Sequence, residues 1–201
     1  MSHQIPWQLL LFPGVILHEF SHYLACILVG VKVRDVKFWS RTEAFVAHDQ
    51  PATWKSVVIT ASPFLIGNFL ALEILSMANE LFYTFSLLSL LYFWLAISFV
   101  YFSFPSRADA SNSFNSFISF YKIHILEKGS IFSRLFWLLS FPFLFIPFIF
   151  LLGVILIFDS SEAMRWIWSI AVLLFSVQPS LIYLLSHFVN YFLVKIAQIF
   201  I

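Results

Sequence analysis

The stretch FPGVILHEFSHYLACILVGVKV, Phe12 to Val33, places His18, Glu19 and His22 in a run otherwise apolar enough to cross a bilayer. Ionisable side chains in hydrocarbon are expensive unless they are paired, hydrated or bound to metal. His18 and His22 are four positions apart, so on a helix they are offset by about 40° and roughly 6 Å, close enough for two imidazoles to reach one ion. Glu19 projects about 100° away from His18, out of the ligand position but within reach of a water beside the ion. Zinc accepts two imidazoles in this way and brings the pKa of an adjacent water towards about 7, where a carboxylate can take its proton and later return it to a leaving amine. The bland alternative is a polar helix face making hydrogen bonds to neighbouring spans.

Composition names the solvent. Hydrophobic residues make up 61% of the 201, charged residues 10%, and 27 are phenylalanine, a balance that one soluble core of this size cannot hide. An integral, multi-pass membrane protein in contact with the lipid bilayer is expected. A net charge of +1 gives no reason to expect nucleic acid as a partner. The lone cysteine, Cys26, excludes an intrachain disulfide. The N-terminus shows no basic leader or small-residue cleavage site, so the first apolar run is expected to be retained.

A span needs about 20 apolar residues. Candidates run from Ile5 to Val29, Trp54 to Ala78, Leu81 to Phe104, Ile131 to Phe158, and Trp166 to about His187, with apolar sequence continuing to Ile201. The expected fold is thus an all-α polytopic membrane protein of about five transmembrane helices, with kinks at Pro142, Pro147 and Pro179. If the loop after the first span is cytoplasmic, Lys32, Arg34, Lys37, Arg41, Lys55, Arg107, Lys122, Lys128, Arg134 and Lys195 share that side and only Arg165 faces out. This positive-inside pattern predicts an external N-terminus, a cytoplasmic C-terminus and an active site opening towards the cytoplasm.

Two polar segments interrupt the spans. In VKVRDVKFWSRTEAFVAHDQ, Val31, Val33, Val36 and Phe38 alternate with charges before SRTE offers a turn and AFVAH follows, which predicts a small membrane-associated β-hairpin. SRADASNSFNSFISFYKIHILEKG follows Pro105 and carries Phe114, Phe117, Ile118 and Tyr121 at helical spacing, predicting an interfacial or shallowly buried helix. No internal repeat or low-complexity linker divides the chain. One membrane domain, 1–201, is expected, with a core over 1–128 and additional C-terminal helices over 129–201.

PGVILHEFSHYLACILVGVKV, the hairpin after it, ITASPFLIGNFLAL and FPSRADASN together resemble the site-2 protease family of intramembrane zinc metalloproteases and its compact membrane relatives, over about the first 115 residues. The resemblance implies a membrane-embedded peptide hydrolase with Glu19 as general base and acid and zinc on His18 and His22. Pro105 and Asp109 fall where the family's proline, leucine, aspartate and glycine motif supplies the third ligand, although Asp109 here stands between Ala108 and Ala110. Ser62, Pro63 and Asn68 fall where the family carries its alanine-glycine-proline and asparagine pattern, which implies Asn68 as a group orienting substrate or oxyanion. The competing roles are an N-cap for Asp109 and a helix-helix hydrogen bond for Asn68. Depth is a second issue: His22 sits about seven residues, roughly 10 Å, inside its helix, while Asp109 follows the apparent end of the third span. Either the chain re-enters the bilayer or that span ends deeper than hydropathy suggests.

Cys26, His48 and His124 are alternative metal ligands whose ordinary roles are packing and surface exposure. Glu73 and His187, near span ends, suit snorkelling or interhelical hydrogen bonds. Pro13 and Gly14 are expected to loosen the helix one turn before the histidines. The function expected is zinc-dependent endopeptidase action on membrane proteins, single-span chains among them. The alternatives are a non-proteolytic zinc-binding scaffold or inactive relative, and an ion carrier using the histidines in transit.

Overall fold

The computed structural model describes residues 6–40, 43–82, 86–127 and 130–176. It is mostly helical with one two-stranded antiparallel sheet. The elements are α1 (Pro6–Leu10), α2 (Phe12–Leu28), β1 (Val33–Lys37), β2 (Phe45–His48), α3 (Thr53–Phe82), α4 (Leu87–Tyr101), α5 (Arg107–Lys122) extended by a π-helical turn over Ile123–Glu127, α6 (Ile131–Ser160), and α7 over 162–176. Pro179, His187 and Lys195 lie outside the described residues.

Two of these helices are long and apolar enough to cross a membrane: Trp54–Asn79 within α3 and Ile131–Asp159 within α6. α2 and α4 are apolar but shorter, because local chemistry interrupts runs that hydropathy reads as continuous. The first run breaks at Leu11, and Pro13 sits in the opening turn of α2, where a missing N–H does no harm. Pro13 therefore marks a helix start and not a loosened interior. The third run ends as a helix at Tyr101, so the expected span from Leu81 to Phe104 is shortened at both ends. Pro142 and Pro147 lie within a helix assigned without interruption across α6.

The hairpin forms where expected. Its register pairs Val33 with His48, Asp35 with Ala47, Val36 with Val46 and Lys37 with Phe45, with an irregularity between Val33 and Asp35. Gly30, at φ +66°, permits the left-handed stop after α2, closed by the Val31 N–H donating to the Cys26 carbonyl at 2.8 Å. The chain then folds back along α2: Phe38 meets the rings of Phe20 and Tyr23 at 6.0 and 5.6 Å, and Trp39 meets Phe12 at 5.7 Å.

Small residues set the helix spacing. Ala71 and Leu75 of α3 pack on Ala96 and Val100 of α4, with Val172 and Leu173 of α7 against them. The closest approach is between α2 and α4. The Gly14 N–H donates to Ser98 Oγ at 2.7 Å, that hydroxyl donates to the Leu11 carbonyl at 2.7 Å, and a Cβ on Gly14 would lie 2.0 Å from the Ser98 carbonyl oxygen. Gly14→Ala must push the two backbones apart. We expect it to cost about 1–3 kcal/mol, read as a lowered Tm in detergent, whereas Gly153→Ala in α6 adds a methyl with nothing within 4 Å and should leave Tm nearly unchanged.

α5 is buried differently from the expectation. Its covered face is Ala110, Ser113, Ser116, Phe117 and Tyr121, and Ile118 is exposed. Hydroxyls decide the side that meets α3: Thr60 Oγ1 lies 2.6 Å from Ser113 Oγ, with Ser56 Oγ 3.4 Å from the same atom. The helix also lies antiparallel along α6, Ala110 packing with Leu152 and Ile155, Phe117 stacking on Phe148 at 4.4 Å and Tyr121 meeting Phe141 at 4.9 Å. It is thus packed against α3 and α6 on its covered side, with Ser111, Asn112, Asn115 and Ser119 exposed on the other.

The placement of Arg165 on the side opposite Arg107 is overturned. Arg165 Nη2 lies 2.7 Å from Asp159 Oδ1 and Arg107 Nε lies 3.3 Å from Asp159 Oδ2. Two guanidiniums sharing one carboxylate cannot be separated by a hydrocarbon core about 30 Å thick. The count treats the segment after the third span as lying on one side, whereas α5 runs antiparallel along α6 and brings its first residue, Arg107, to the far end of that helix.

Candidate metal centre

The expected histidines converge. On α2, His18 and His22 bring their Nε2 atoms to 3.2 Å, with ring centroids 4.8 Å apart and planes at 84°. A backbone carbonyl fixes each ring from behind. His18 Nδ1 lies 2.7 Å from the Phe102 carbonyl oxygen, just past the end of α4, and His22 Nδ1 lies 2.8 Å from the Ile59 carbonyl oxygen on α3. Because a carbonyl only accepts, each Nδ1 carries the proton, and in neutral rings both Nε2 atoms present lone pairs to one point. Holding ligand imidazoles by the far nitrogen is how metal sites set tautomer and orientation.

Asp109 closes the group. Its Oδ2 lies 3.3 Å from His22 Nε2 and 3.9 Å from His18 Nε2. The N-cap of α5 is Ser106, not Asp109: Ser106 Oγ accepts from the Asp109 N–H at 3.2 Å, and the Ser106 N–H and hydroxyl donate to Asp109 Oδ2 at 2.9 and 2.7 Å. This capping box puts the carboxylate in the first turn of α5, and the box and the histidines lie on the same side of it. The depth question resolves in favour of an earlier helix end. α4 stops at Tyr101, so the short connection to α5 runs at the level of the histidines.

Two lone pairs and a carboxylate oxygen this close repel one another unless positive charge is added, as a proton on His22 or a cation among the three. The 3.3 Å edge from His22 to Asp109 suits either, and two of the three edges suit a tetrahedral cation. Tetrahedral zinc with donors at about 2.0–2.2 Å sets neighbouring donors roughly 3.3–3.5 Å apart, against 3.2, 3.3 and 3.9 Å here. Among the described residues, His18, His22 and Asp109 form the one group of three or more such side chains with ligand atoms close enough together, within 4.8 Å, to hold a metal.

A cleft of about 230 Å³ opens beside this group, and Val15, His18, Glu19, Phe102, Ser106 and Arg165 are among its lining residues. Among the described residues no hydrogen bond engages the Glu19 carboxylate, which leaves it available to a water in the cleft. A more apolar cavity of about 200 Å³, lined by Val57, Phe64, Phe148, Leu152 and Trp168 among others, contains none of the candidate residues.

The remaining candidates go elsewhere. Cys26 is fully buried and packs with Ala25 and Ile59. His48 Nδ1 donates to the Asp49 carbonyl at 2.8 Å. His124 Nδ1 donates to the Phe120 carbonyl at 2.8 Å, its ring against Phe120 and Trp137. Glu73 is exposed on α3. Asn68 does not line the cleft: its Nδ2 donates to the Phe64 carbonyl and to Ser103 Oγ at 2.8 and 3.0 Å, and its Oδ1 accepts from Trp168 Nε1 at 3.1 Å, tying α3 to the connection after α4 and to α7. Residue patterns gave no warning of the Phe102 and Ile59 carbonyls, since any residue type supplies one. No family model matches the chain, and neither a curated protein nor a solved structure matches it.

Proposed function

We propose that the chain is a multi-pass membrane zinc endopeptidase that hydrolyses peptide bonds of membrane-embedded or membrane-adjacent polypeptides. The observation that carries this reading is the pair of carbonyl-anchored imidazoles, 3.2 Å apart at Nε2, with the Asp109 carboxylate against them and Glu19 on the adjoining cleft. His18, His22 and Asp109 would hold the ion, leaving a fourth position open as catalytic zinc sites do. A zinc ion there would supply Lewis acidity, making a neighbouring water acidic enough to be deprotonated near neutral pH. Glu19 accepts that proton as the water oxygen bonds to the scissile carbonyl carbon, then delivers it to the nitrogen as the carbon–nitrogen bond breaks. The resemblance to site-2 proteases points the same way.

The apolar surface supports a bilayer setting. Phe132, Phe143, Phe150 and Ile146 of α6 are each at least two-thirds exposed, far more than water tolerates on one helix. With Lys32, Arg34, Lys37 and Lys55 flanking the hairpin on the cytoplasmic side, the N-terminus lies outside, and the cleft draws water through its polar wall. The fate of the C-terminus rests on residues 177–201, outside the described residues.

Substrate must reach the site extended, because helical peptide bonds are shielded by their own hydrogen bonds. A two-stranded sheet has unpaired edges, and Glu43 and Ala44, just before β2, line the cleft with Glu19. An extended substrate added to that edge would lie across the site. Val46→Pro should impair turnover while zinc remains bound, and undiminished turnover would reject the edge.

Cleavage of a reconstituted single-span substrate tests the whole reading. Turnover should vanish with a chelator and return with Zn2+. A protein that binds zinc and substrate and cuts nothing under any of these conditions would instead be the scaffold.

A further inference from the structure

Arg165 is the feature that the reading so far leaves unused. Its side chain is 17% exposed, and it is fixed on one flank: Nε donates to the Phe158 carbonyl at 3.1 Å, Nη2 donates to Asp159 Oδ1 at 2.7 Å, and the guanidinium carbon stands 6.0 Å from the Tyr101 ring centroid. Asp159 is itself held by Arg107. A guanidinium has five N–H donors. Two are used, and the other three have no partner among the described residues. Arg165 lines the same cleft as His18 and Glu19. Asn68, the amide expected to handle the oxyanion, is spent on helix contacts.

We propose that Arg165 is a catalytic residue, its free guanidinium donors meeting the scissile carbonyl oxygen as that oxygen becomes an oxyanion. The proposal rests on the endopeptidase reading. When the water oxygen bonds to the carbonyl carbon, the π electron pair moves onto the carbonyl oxygen and the water proton passes to Glu19. Negative charge then appears at the cleft wall where a fixed, partly desolvated cation already stands. Donors fixed in advance favour the transition state over the ground state. The Asp159 and Phe158 contacts hold the fork so that it need not reorganise, which Lys could not reproduce.

Arg165→Ala should lower kcat by about 10²–10³-fold, the range for loss of an oxyanion donor, with KM within about threefold and zinc content unchanged. Methylguanidinium should restore part of the lost rate. Affinity for a phosphinic peptide, which carries a fixed anion at the reacting centre, should fall in direct binding while affinity for the uncleaved substrate stays. If Arg165→Ala does not fold, Arg165→Lys keeps the charge and loses the fork, and should still cost at least about tenfold in kcat. A kcat unchanged in the folded Arg165 variants overturns the proposal alone. A loss confined to KM, or confined to substrates with a free C-terminal carboxylate, overturns it in favour of a substrate anchor. A wild type that cuts no substrate overturns the endopeptidase reading and this proposal with it.

Discussion

Glu19→Gln is expected to lower cleavage of a single-span substrate by about 10³–10⁴-fold, at the upper end of what one acid–base group contributes, while zinc content stays that of the wild type. The two halves of this result come from different atoms. The residues that would hold the metal are His18, His22 and Asp109, and Glu19 is not among them. It lines the cleft beside His18 with no hydrogen bond competing for its carboxylate among the described residues. Glutamine keeps the shape and cannot take a proton. A scaffold that only binds spans would cut nothing in either form, which would remove the enzyme reading, whereas equal turnover in the two would remove Glu19 as the acid–base group.

The second large effect is on the metal. His18→Ala, His22→Ala and Asp109→Ala should each reduce bound zinc from about one per chain to well below half at micromolar free zinc, because each removes one of three donors and leaves a buried partner unsatisfied. Asp109 needs a control, since its carboxylate also closes the capping box of α5. Ser106→Ala removes the cap hydroxyl and keeps the ligand. It should cost about 1 kcal/mol of stability and retain zinc, whereas Asp109→Ala loses both. Equal zinc loss in the two variants would mean that the metal depends on the helix start and not on the carboxylate.

The sequence made some of this legible and hid the rest for identifiable reasons. His18 and His22 could be paired because helical geometry is local, and four-residue spacing fixes a shared face. The hairpin could be found because alternation is local too. Asp109 required the resemblance, and its depth stays open between two alternatives in the sequence because hydropathy registers composition while the helix end depends on the turn between Tyr101 and Ser106. The buried face of α5 was assigned to its aromatic and aliphatic residues, but in an apolar surrounding a hydroxyl gains more by meeting another hydroxyl. Ser113 therefore turned inward to Thr60, and Ile118 outward. Asn68 and Arg165 exchanged expected places. The amide that looked catalytic ties α3 to α7 and to the connection after α4, and the cation counted at a membrane surface lines the cleft. Long-range pairings such as Arg165 with Asp159 and Arg107 leave no periodic trace in a single sequence.

The most direct test of the central claim is zinc-edge X-ray absorption on the purified protein, which reads donor type and distance without relying on activity. The expected spectrum is one zinc with two imidazole nitrogens at about 2.0–2.1 Å and oxygen donors at about 2.0–2.2 Å. A sulfur shell at about 2.3 Å, which only Cys26 or a methionine of this chain could supply, or the absence of zinc from active protein, would contradict it.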